Sequence, residues 1–392
     1  MKDFSFLNDD AVYLDSACQS LRPDPVINAV EQYFTMHNSC GERVNYPWAK
    51  KTDAIVEETR TLILDYLKLK KRHYFTSFTQ STTYGINLLL SQLDFSAFSK
   101  LMTSEVEHNS VFLPTITYAK ANHLPREVMS RRSDGGIDVS AYDFTRAVVV
   151  VNGATNFDQR TLVNLTELTK AVHKAGGIII LDAAQVLAHH PDLLYKSDLD
   201  AICASGHKMY APSVGIMIVK KSLLPLLKTQ FIGGGMVDDV TLDDFTLSAD
   251  HGERLIYTKF EAGLQNYSNI CGLNAALKWL MQLSSDDKAN LEVQSKRLYD
   301  FLQASPRVQL VNTAPGSTLT FYLKDHTLNS HMIGDALADE NIMTRTGFFC
   351  VHYYLAHKLA LPPSIRFSLG YYIRPAHIDK TINTLSKLLG AK

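Results

Sequence analysis

Apolar runs alternate with an amphipathic stretch in the middle of the chain. Residues 147–152 form a valine-rich run, which is typical of a strand buried on both faces of a parallel sheet. Residues 162–175 carry apolar side chains at helical spacing and end at two glycines, and residues 178–181 form a second apolar run. This order of strand, helix and strand predicts a βαβ unit and a parallel, doubly wound sheet.

The pattern elsewhere predicts a mixture of helices and strands. Helices are expected over residues 26–34, 52–67, 268–283, 290–302 and 332–339, and strands near residues 11–17, 308–311 and 319–323. Thr52 is expected to cap the second of these helices, and residues 38–48 are expected to form an irregular loop. The mixture of helices and strands in the last third of the chain therefore predicts an α+β domain.

One lysine follows an apolar run and precedes another. Residues 201–204 and 214–219 are apolar, so Lys208 is predicted to lie at the end of a buried strand. An ammonium group is costly to desolvate unless it is paired or converted, and a Schiff base with an aldehyde is one such conversion. Ser205 and His207 add hydrogen-bond donors on either side. The alternative interpretation is a surface lysine after an edge strand.

An aspartate stands where the apolar run 178–181 ends. Ligands collect at the carboxyl ends of strands in open α/β sheets, and neighbouring strands could present both Asp182 and Lys208 there. Pyridoxal phosphate needs such an acid, because a carboxylate that keeps the pyridine nitrogen protonated lets the ring accept electrons. The pair therefore points to that cofactor.

Small hydroxyl residues precede a further apolar run. Ser81, Thr82 and Thr83 come directly before a stretch of helical length that ends near Leu90. A helix that begins there leaves free N–H groups that can bind an anion such as a phosphate. The alternative is an ordinary Ser or Thr N-cap without a ligand.

These motifs resemble those of the class V aminotransferases of fold type I. Asp-Ala-Ala-Gln at residues 182–185 and Ser-Gly-His-Lys at residues 205–208 resemble the cysteine desulfurases of that class. Thr-Thr-Tyr-Gly-Ile-Asn at residues 82–87 is similar to their Thr-Thr-Glu-Gly-Ile-Asn. The resemblance implies an α/β fold with a large, doubly wound, mainly parallel sheet domain over residues 15–265. It also implies a smaller α+β domain made of residues 1–14 and 266–392.

The resemblance also implies roles for individual residues. It implies that pyridoxal 5′-phosphate is bound by Thr82, Thr83, His108, Asn156, Asp182, Gln185, Ser205, His207 and Lys208. It implies that Lys208, His108 and Cys350 are catalytic, and that Asn156 and Arg366 bind the substrate. An arginine suits that task, because its planar group makes a two-pronged contact with a carboxylate that a lysine cannot reproduce.

The segment Arg-Thr-Gly at residues 345–347 precedes the cysteine that carries the functional prediction. Cys350 resembles the catalytic-loop cysteine of cysteine desulfurases, which attacks the substrate sulfur and carries it away as a persulfide. Phe348 and Phe349 depart from the usual pattern. Because apolar neighbours raise the pKa of a thiol, the alternative is a buried structural cysteine.

The function implied by the resemblance is removal of sulfur from L-cysteine by a pyridoxal phosphate-dependent desulfurase. The products are L-alanine and an enzyme-bound persulfide for a sulfur-acceptor protein, and the family implies a homodimer. A selenocysteine lyase, a kynureninase-like hydrolase or an epimerase would keep Lys208 and Asp182 but need not use Cys350. A non-catalytic sulfur-relay or scaffold protein of the same fold is the alternative of another class.

Composition limits the binding partners, the location and the cysteine chemistry that can be expected. The chain has 392 residues, 46% hydrophobic and 20% charged, and a formal net charge of −1, so nothing global recruits nucleic acid or an anionic membrane. No signal-length apolar stretch opens it, and a cytoplasmic location is expected. The five cysteines are scattered without a Cys-x-x-Cys spacing, which argues against a disulfide framework or a zinc site. Most are expected to be buried thiols.

Overall fold

The computed structural model describes residues 3–8, 10–41, 44–195, 197–248, 257, 259–324 and 329–390. Strand β1 (Val12–Tyr13) opens the chain, and seven further strands form a central sheet. They are β2 (Tyr74–Thr79), β3 (Lys100–Ser104), β4 (Arg126–Met129), β5 (Ala147–Asn152), β6 (Ile178–Asp182), β7 (Ala201–Ser205) and β8 (Gly215–Lys220).

The order of the central sheet is β2-β8-β7-β6-β5-β3-β4. Strand β8 is antiparallel to both of its neighbours, and every other adjacent pair is parallel. The prediction of a mainly parallel sheet is therefore confirmed. In register, Asn152 lies beside Asp182, and Asp182 lies beside Cys203, so β5, β6 and β7 end at one common edge.

Apolar side chains cover both faces of this sheet. Val149 and Val151 of β5 belong to one buried cluster, while Val148 and Val150 belong to another. Successive side chains of a strand point to opposite faces, so a continuous apolar run is what a sheet with two covered faces requires. The doubly wound arrangement predicted from the sequence is confirmed.

Nine α-helices occur in the described part of the chain. They are α1 (Asp24–Met36), α2 (Pro47–Tyr66), α3 (Thr82–Gln92), α4 (Asn109–Ala121), α5 (Leu165–Lys174), α6 (Tyr267–Met281), α7 (Ser285–Ala304), α8 (Ser330–Asp339) and α9 (Pro375–Leu389). None of the helices within the described ranges combines the length and apolarity needed to cross a bilayer.

A second sheet forms from the C-terminal part of the chain. Its strands are β11 (Val308–Leu310), β12 (Thr318–Leu323), β14 (Arg345–Gly347) and β15 (Ser364–Ser368), after a hairpin of β9 (Val237–Val240) and β10 (Phe245–Leu247). Its strand order is β11-β12-β15-β14, with every pair antiparallel. Strand β1 pairs with β13 (Ile342–Met343), which joins the N-terminal segment to this region. The domain boundaries at residues 15 and 265 stay a prediction.

Two local predictions need correction. Helix α2 begins at Pro47, and Thr52 is buried inside it with its hydroxyl donating to the carbonyl of His37, so Thr52 is not the N-cap. Helix α5 begins at Leu165, three residues later than the apolar spacing predicts. Leu162 instead donates its N–H to Gly153, which closes the turn that leads away from β5.

Candidate active site

A pocket of about 210 Å³ opens where the carboxyl edge of the central sheet meets the C-terminal region. All the site residues predicted from the sequence line it except Gln185, which lines a small adjoining cavity with Asp182 and Lys208. A larger cleft of about 1170 Å³ lies elsewhere, and none of those residues lines it. We therefore place the candidate active site in the smaller pocket, because the residues with the predicted chemistry line it.

The pocket has two ends of different construction. We call one the cofactor end, made of Thr82, Thr83, His108, Asp182, Ser205, His207 and Lys208. We call the other the thiol end, made of Cys18, Arg345, Cys350 and Arg366. Asn156 lines the pocket as well and connects the two ends through the contacts described below.

The start of helix α3 supplies the donors of the cofactor end. Ser81 caps the helix, because its Oγ accepts from the N–H of Tyr84 at 3.2 Å. Thr82 contacts Ser205 Oγ through both its N–H, at 2.8 Å, and its Oγ1, at 2.7 Å. The first N–H groups of a helix have no intrahelical acceptor and carry a partial positive charge. This turn therefore suits an anion such as a phosphate.

Asp182 and Lys208 stand at the ends of neighbouring parallel strands. The Asp182 side chain is buried, and its Oδ1 accepts from the N–H of Ala184 at 2.9 Å. Burial raises the pKa of Asp182, and the charge of Lys208 opposes that rise. Burial likewise lowers the pKa of Lys208, which increases the fraction of the neutral, nucleophilic amine.

Two histidines of the cofactor end are held in the neutral form. His108 Nδ1 accepts from the N–H of Ser110 at 3.0 Å, so the proton of the neutral ring belongs on Nε2. Burial, followed by the charges of Lys208 and Arg366, lowers the pKa of His108 to about 3. Burial, followed by Lys208, lowers the pKa of His207 to about 4. The buried Nδ1 of His207 has no hydrogen-bond partner among the described residues.

Arg366 is the main cation of the thiol end. It lies in β15 and is only 2% exposed, and Nη2 donates to Asp15 Oδ1 at 2.7 Å. Nη1 donates to the carbonyl of Asn156 at 3.1 Å, and the buried Nε has no partner among the described residues. A guanidinium has five N–H groups, so several remain to bind a carboxylate.

Cys350 lies on a tightly anchored turn. Phe349 and Cys350 have φ values of 50° and 60°, in the left-handed region that residues other than glycine rarely adopt. Asn156 Nδ2 donates to the carbonyl of Phe349 at 2.7 Å, and the N–H of Asn109 donates to the carbonyl of Cys350 at 2.8 Å. Asn109 directly follows His108, so the turn is tied to the cofactor end.

The five cysteines are all free thiols, but most of them are not buried. Cys203 and Cys271 are buried, Cys18 and Cys350 are partly exposed, and Cys40 is exposed, so the expectation for the majority is wrong. Burial raises the pKa of Cys271 to about 11 and raises that of Cys203 further. Within the described ranges, no group of three or more histidine, cysteine or acidic side chains could hold a metal ion.

Sequence reasoning missed several residues of the site. Asp15 pairs with Arg366, which is 351 residues away in the sequence, and Arg345 donates to Cys18, which is 327 residues away. No local pattern predicts either contact. The strand predicted near residues 11–17 contains Asp15, but its pattern carries no sign of the partner residue. Gln185 Nε2 donates to the carbonyl of Ala17 at 2.8 Å, which ties this N-terminal segment to the end of β6.

The sheet with both faces covered, and the lysine and aspartate at its carboxyl edge, define the class of protein. A family model described as Aminotransferase class-V matches residues 12–381, so the chain belongs to the class-V aminotransferase family. The resemblance seen in the sequence is confirmed.

Individual relatives show which members of this family the chain is similar to. The chain is 26% identical to a probable cysteine desulfurase of Borreliella burgdorferi, over 99% of this chain and 95% of the relative. It is 27% identical to the cysteine desulfurase CsdA of Escherichia coli, over 98% and 96% of the two chains. The apo structure of a cysteine desulfurase from Thermococcus onnurineus has the same fold, with a TM-score of 0.86, 23% identity, and coverage of 98% and 96%.

Proposed function

We propose that this protein is a pyridoxal phosphate-dependent cysteine desulfurase. It would convert L-cysteine into L-alanine and leave the sulfur as a persulfide on Cys350 for a sulfur-acceptor protein. The observation that carries the proposal is that Lys208, Asp182, Arg366 and Cys350 line one pocket of about 210 Å³. The similarity of nearly the whole chain to proteins named as cysteine desulfurases supports the same activity.

The residues of the cofactor end fit pyridoxal phosphate. The start of α3 with Thr82 and Ser205 would hold the phosphate, and the unpartnered Nδ1 of His207 supplies a further buried polar atom. Asp182 would hold the pyridine nitrogen, and Lys208 would hold the aldehyde carbon. The bound cofactor would supply an electron-accepting ring that weakens bonds at the substrate's α-carbon.

The side chains of the pocket would bind and deprotonate the substrate. Arg366 would bind the carboxylate of L-cysteine through its remaining N–H groups, because Asp15 and Asn156 occupy only part of its donors. The lowered pKa of Lys208 suits it to take the α-proton and to return a proton to the product. His108 presents a neutral ring with its proton on Nε2, which can donate to a polar atom in the pocket.

Cys350 would perform the sulfur-transfer step. Its thiolate attacks the sulfur of L-cysteine, and an S–S bond forms while the Cβ–S bond of the substrate breaks. The electron pair of the broken bond stays on the carbon side, which takes up a proton to become L-alanine. The two anchoring hydrogen bonds from Asn156 and Asn109 hold the turn during this attack.

We also propose that the protein works as a homodimer in the cytoplasm. Large apolar side chains are exposed in the region of the β9–β10 hairpin and near Gly263, with Leu242 97% exposed and Leu264 73% exposed. Exposed apolar residues of this size are typical of surfaces that another chain covers.

The test compares Cys350→Ala with the wild-type protein and with Cys40→Ala, which removes an exposed cysteine outside the pocket. Each is loaded with pyridoxal phosphate and given L-cysteine and dithiothreitol, and alanine and sulfide are measured alongside the visible spectrum. We expect Cys40→Ala to form alanine and sulfide at the same rates as the wild type. In Cys350→Ala we expect a loss of at least about a hundredfold, because the nucleophile is gone.

The spectra separate the competing outcomes. L-Cysteine should still change the visible absorption of Cys350→Ala, since the cofactor end is intact. If Cys350→Ala forms alanine as fast as the wild type, another lyase activity replaces the proposed one. If no variant binds the cofactor, the assignment of Lys208 and Asp182 is wrong.

A further inference from the structure

Two cysteines line the same pocket, and only one of them has a role in the proposed reaction. Cys18 and Cys350 both contribute to the wall of the 210 Å³ pocket, and both are partly exposed. Thiolates at either position would raise the pKa of Lys208, so both sulfur atoms lie within the electrostatic reach of its ammonium group. The site therefore contains a second thiol whose purpose the single-cysteine mechanism leaves unexplained.

Two arginines lie near the second thiol, and both of them also pair with Asp15. Arg345 Nη1 donates to Cys18 Sγ at 3.2 Å, and Arg366, whose Nε is buried without a described partner, also interacts electrostatically with Cys18. Positive charges beside sulfur stabilise anionic thiolates and persulfides. Phe348 and Phe349 stand beside Cys350 in sequence, and no guanidinium among the described residues donates to its sulfur. Of the two thiols, Cys18 is therefore the one whose sulfur accepts a hydrogen bond from a guanidinium.

Both cysteine-bearing segments are anchored to the site. The N–H of Ala17 donates to Ser368 Oγ at 2.9 Å, and the carbonyl of Ala17 accepts from Gln185. The turn of Cys350 is held on both sides by the contacts from Asn109 and Asn156. Both thiols line the pocket and are partly exposed, so Cys18 offers a second position from which the sulfur can leave. Gln19, directly after it, is exposed, so this segment reaches the surface.

We propose that Cys18 receives the sulfur from the Cys350 persulfide and is the thiol from which the acceptor takes it. The inference rests on the proposed function, since it requires a persulfide on Cys350. It gives the site two sulfur-carrying positions on one chain.

The transfer balances without any other reactant. The Cys18 thiolate attacks the terminal sulfur of the persulfide and forms a new bond from Cys18 Sγ to that sulfur. The bond from Cys350 Sγ to the same sulfur breaks, and its electron pair stays on Cys350 Sγ. Cys350 takes up the proton that Cys18 lost, and the transferred sulfur is neither oxidised nor reduced.

The test follows labelled sulfur through the wild-type protein loaded with pyridoxal phosphate. L-Cysteine with isotopically labelled sulfur is added without any reducing thiol, and samples are alkylated at successive times, digested and examined by mass spectrometry. We expect the label first on the Cys350 peptide and then on the Cys18 peptide. Cys40 is an internal control, because an exposed thiol outside the pocket reports sulfur that exchanges through solution.

Variants test the order of transfer. In Cys350→Ala we expect no label on Cys18 and no alanine. In Cys18→Ala and Cys18→Ser we expect one equivalent of alanine and a persulfide on Cys350. With dithiothreitol as acceptor, we expect their turnover to be about tenfold lower than that of the wild type, because the favourably positioned second thiol is lost.

Each other outcome contradicts a specific part of the proposal. Label on Cys350 alone, with unchanged turnover in both Cys18 variants, would overturn the role of Cys18 and leave the proposed function standing. Label on Cys18 in Cys350→Ala would reverse the order of the two thiols. Equal label on Cys40 and Cys18 would mean exchange through solution. Absence of alanine and of label from every cysteine of the wild type would overturn the proposed function itself.

Discussion

The two ends of the pocket are built in different ways. The cofactor end is made of residues at the ends of β6 and β7 and at the start of α3, where regular elements determine the direction of each side chain. The thiol end comes from a turn after β1, the turn that carries Cys350, and two strands of the small sheet, β14 and β15. Its residues meet only because distant segments of the chain pack together.

Under the proposed function, this difference assigns cofactor binding to one end of the pocket and substrate binding to the other. Central strands buried on both faces hold Asp182 and Lys208, so changes at the thiol end should leave the positions of these two residues unchanged. The thiol end depends on single contacts, such as those from Asp15 to Arg366 and from Asn156 to Phe349. We therefore expect substitutions to affect the two ends independently unless they disturb Asn156, which contacts Phe349 and Arg366, or Asn109, which donates to the carbonyl of Cys350.

The largest effect is expected for Arg366→Lys at the thiol end. A lysine cannot reproduce the two parallel hydrogen bonds to a carboxylate, so kcat/KM for L-cysteine should fall about a hundredfold. Steady-state alanine formation measures the loss, and the visible spectrum should show normal cofactor content. Arg132→Lys, at an exposed ion pair with Asp134, is the control. Loss of the cofactor in Arg366→Lys would mean that the two ends are not independent.

A smaller effect is expected for Gly215→Ala at the cofactor end. A Cβ at Gly215 would lie 2.1 Å from Thr79 Oγ1 and 2.6 Å from the backbone nitrogen of Ser81, so the turn into α3 must shift. We expect the Kd for pyridoxal phosphate to rise about tenfold, which corresponds to about 1.4 kcal/mol. Titration of the apoprotein followed by absorption measures it.

The control for this substitution is Gly316→Ala, where the nearest atom to a new Cβ is 3.7 Å away. It should bind the cofactor as the wild type does. An unchanged Kd in Gly215→Ala would show that the start of α3 tolerates displacement and does not set the affinity.

The smallest effect concerns the pH dependence of the apoprotein. Burial lowers the pKa of His207 to about 4, whereas the unfolded chain binds the proton near the ordinary value of about 6.5. The stability contribution of neutral His207 is therefore complete above about pH 6.5 and declines as the pH falls toward 4. In His207→Asn, the drop in melting temperature from pH 7 to pH 5 should be smaller by about 2 °C.

Calorimetry of the apoprotein at the two pH values makes this comparison. His123→Asn, at an exposed position with a φ of 53° that asparagine tolerates, is the control and should retain the full drop. If the melting temperature of His207→Asn falls as much as that of the wild type, other buried groups, such as His108, determine the loss of stability at low pH.

Local patterns were sufficient to predict several central strands and the start of α3, whereas the family resemblance implied most residues of the cofactor end. Apolar runs predicted β5, β6 and β7 nearly to the residue, because strands buried on both faces leave a continuous signal. Hydroxyl residues before an apolar stretch predicted the start of α3. The first turn of α2 could not be predicted in this way, because its start at Pro47 lies in a polar and aromatic stretch without apolar periodicity.

What the sequence alone determined is that β5, β6 and β7 are buried strands and that Asp182 and Lys208 stand at the ends of two of them. Only the tertiary structure decided that Asp15 pairs with Arg366, that Arg345 donates to Cys18, and that Cys18 and Cys350 share a pocket. The physical reason is that hydrophobic periodicity records which face of an element is buried, whereas a contact between segments several hundred residues apart depends on how whole elements pack.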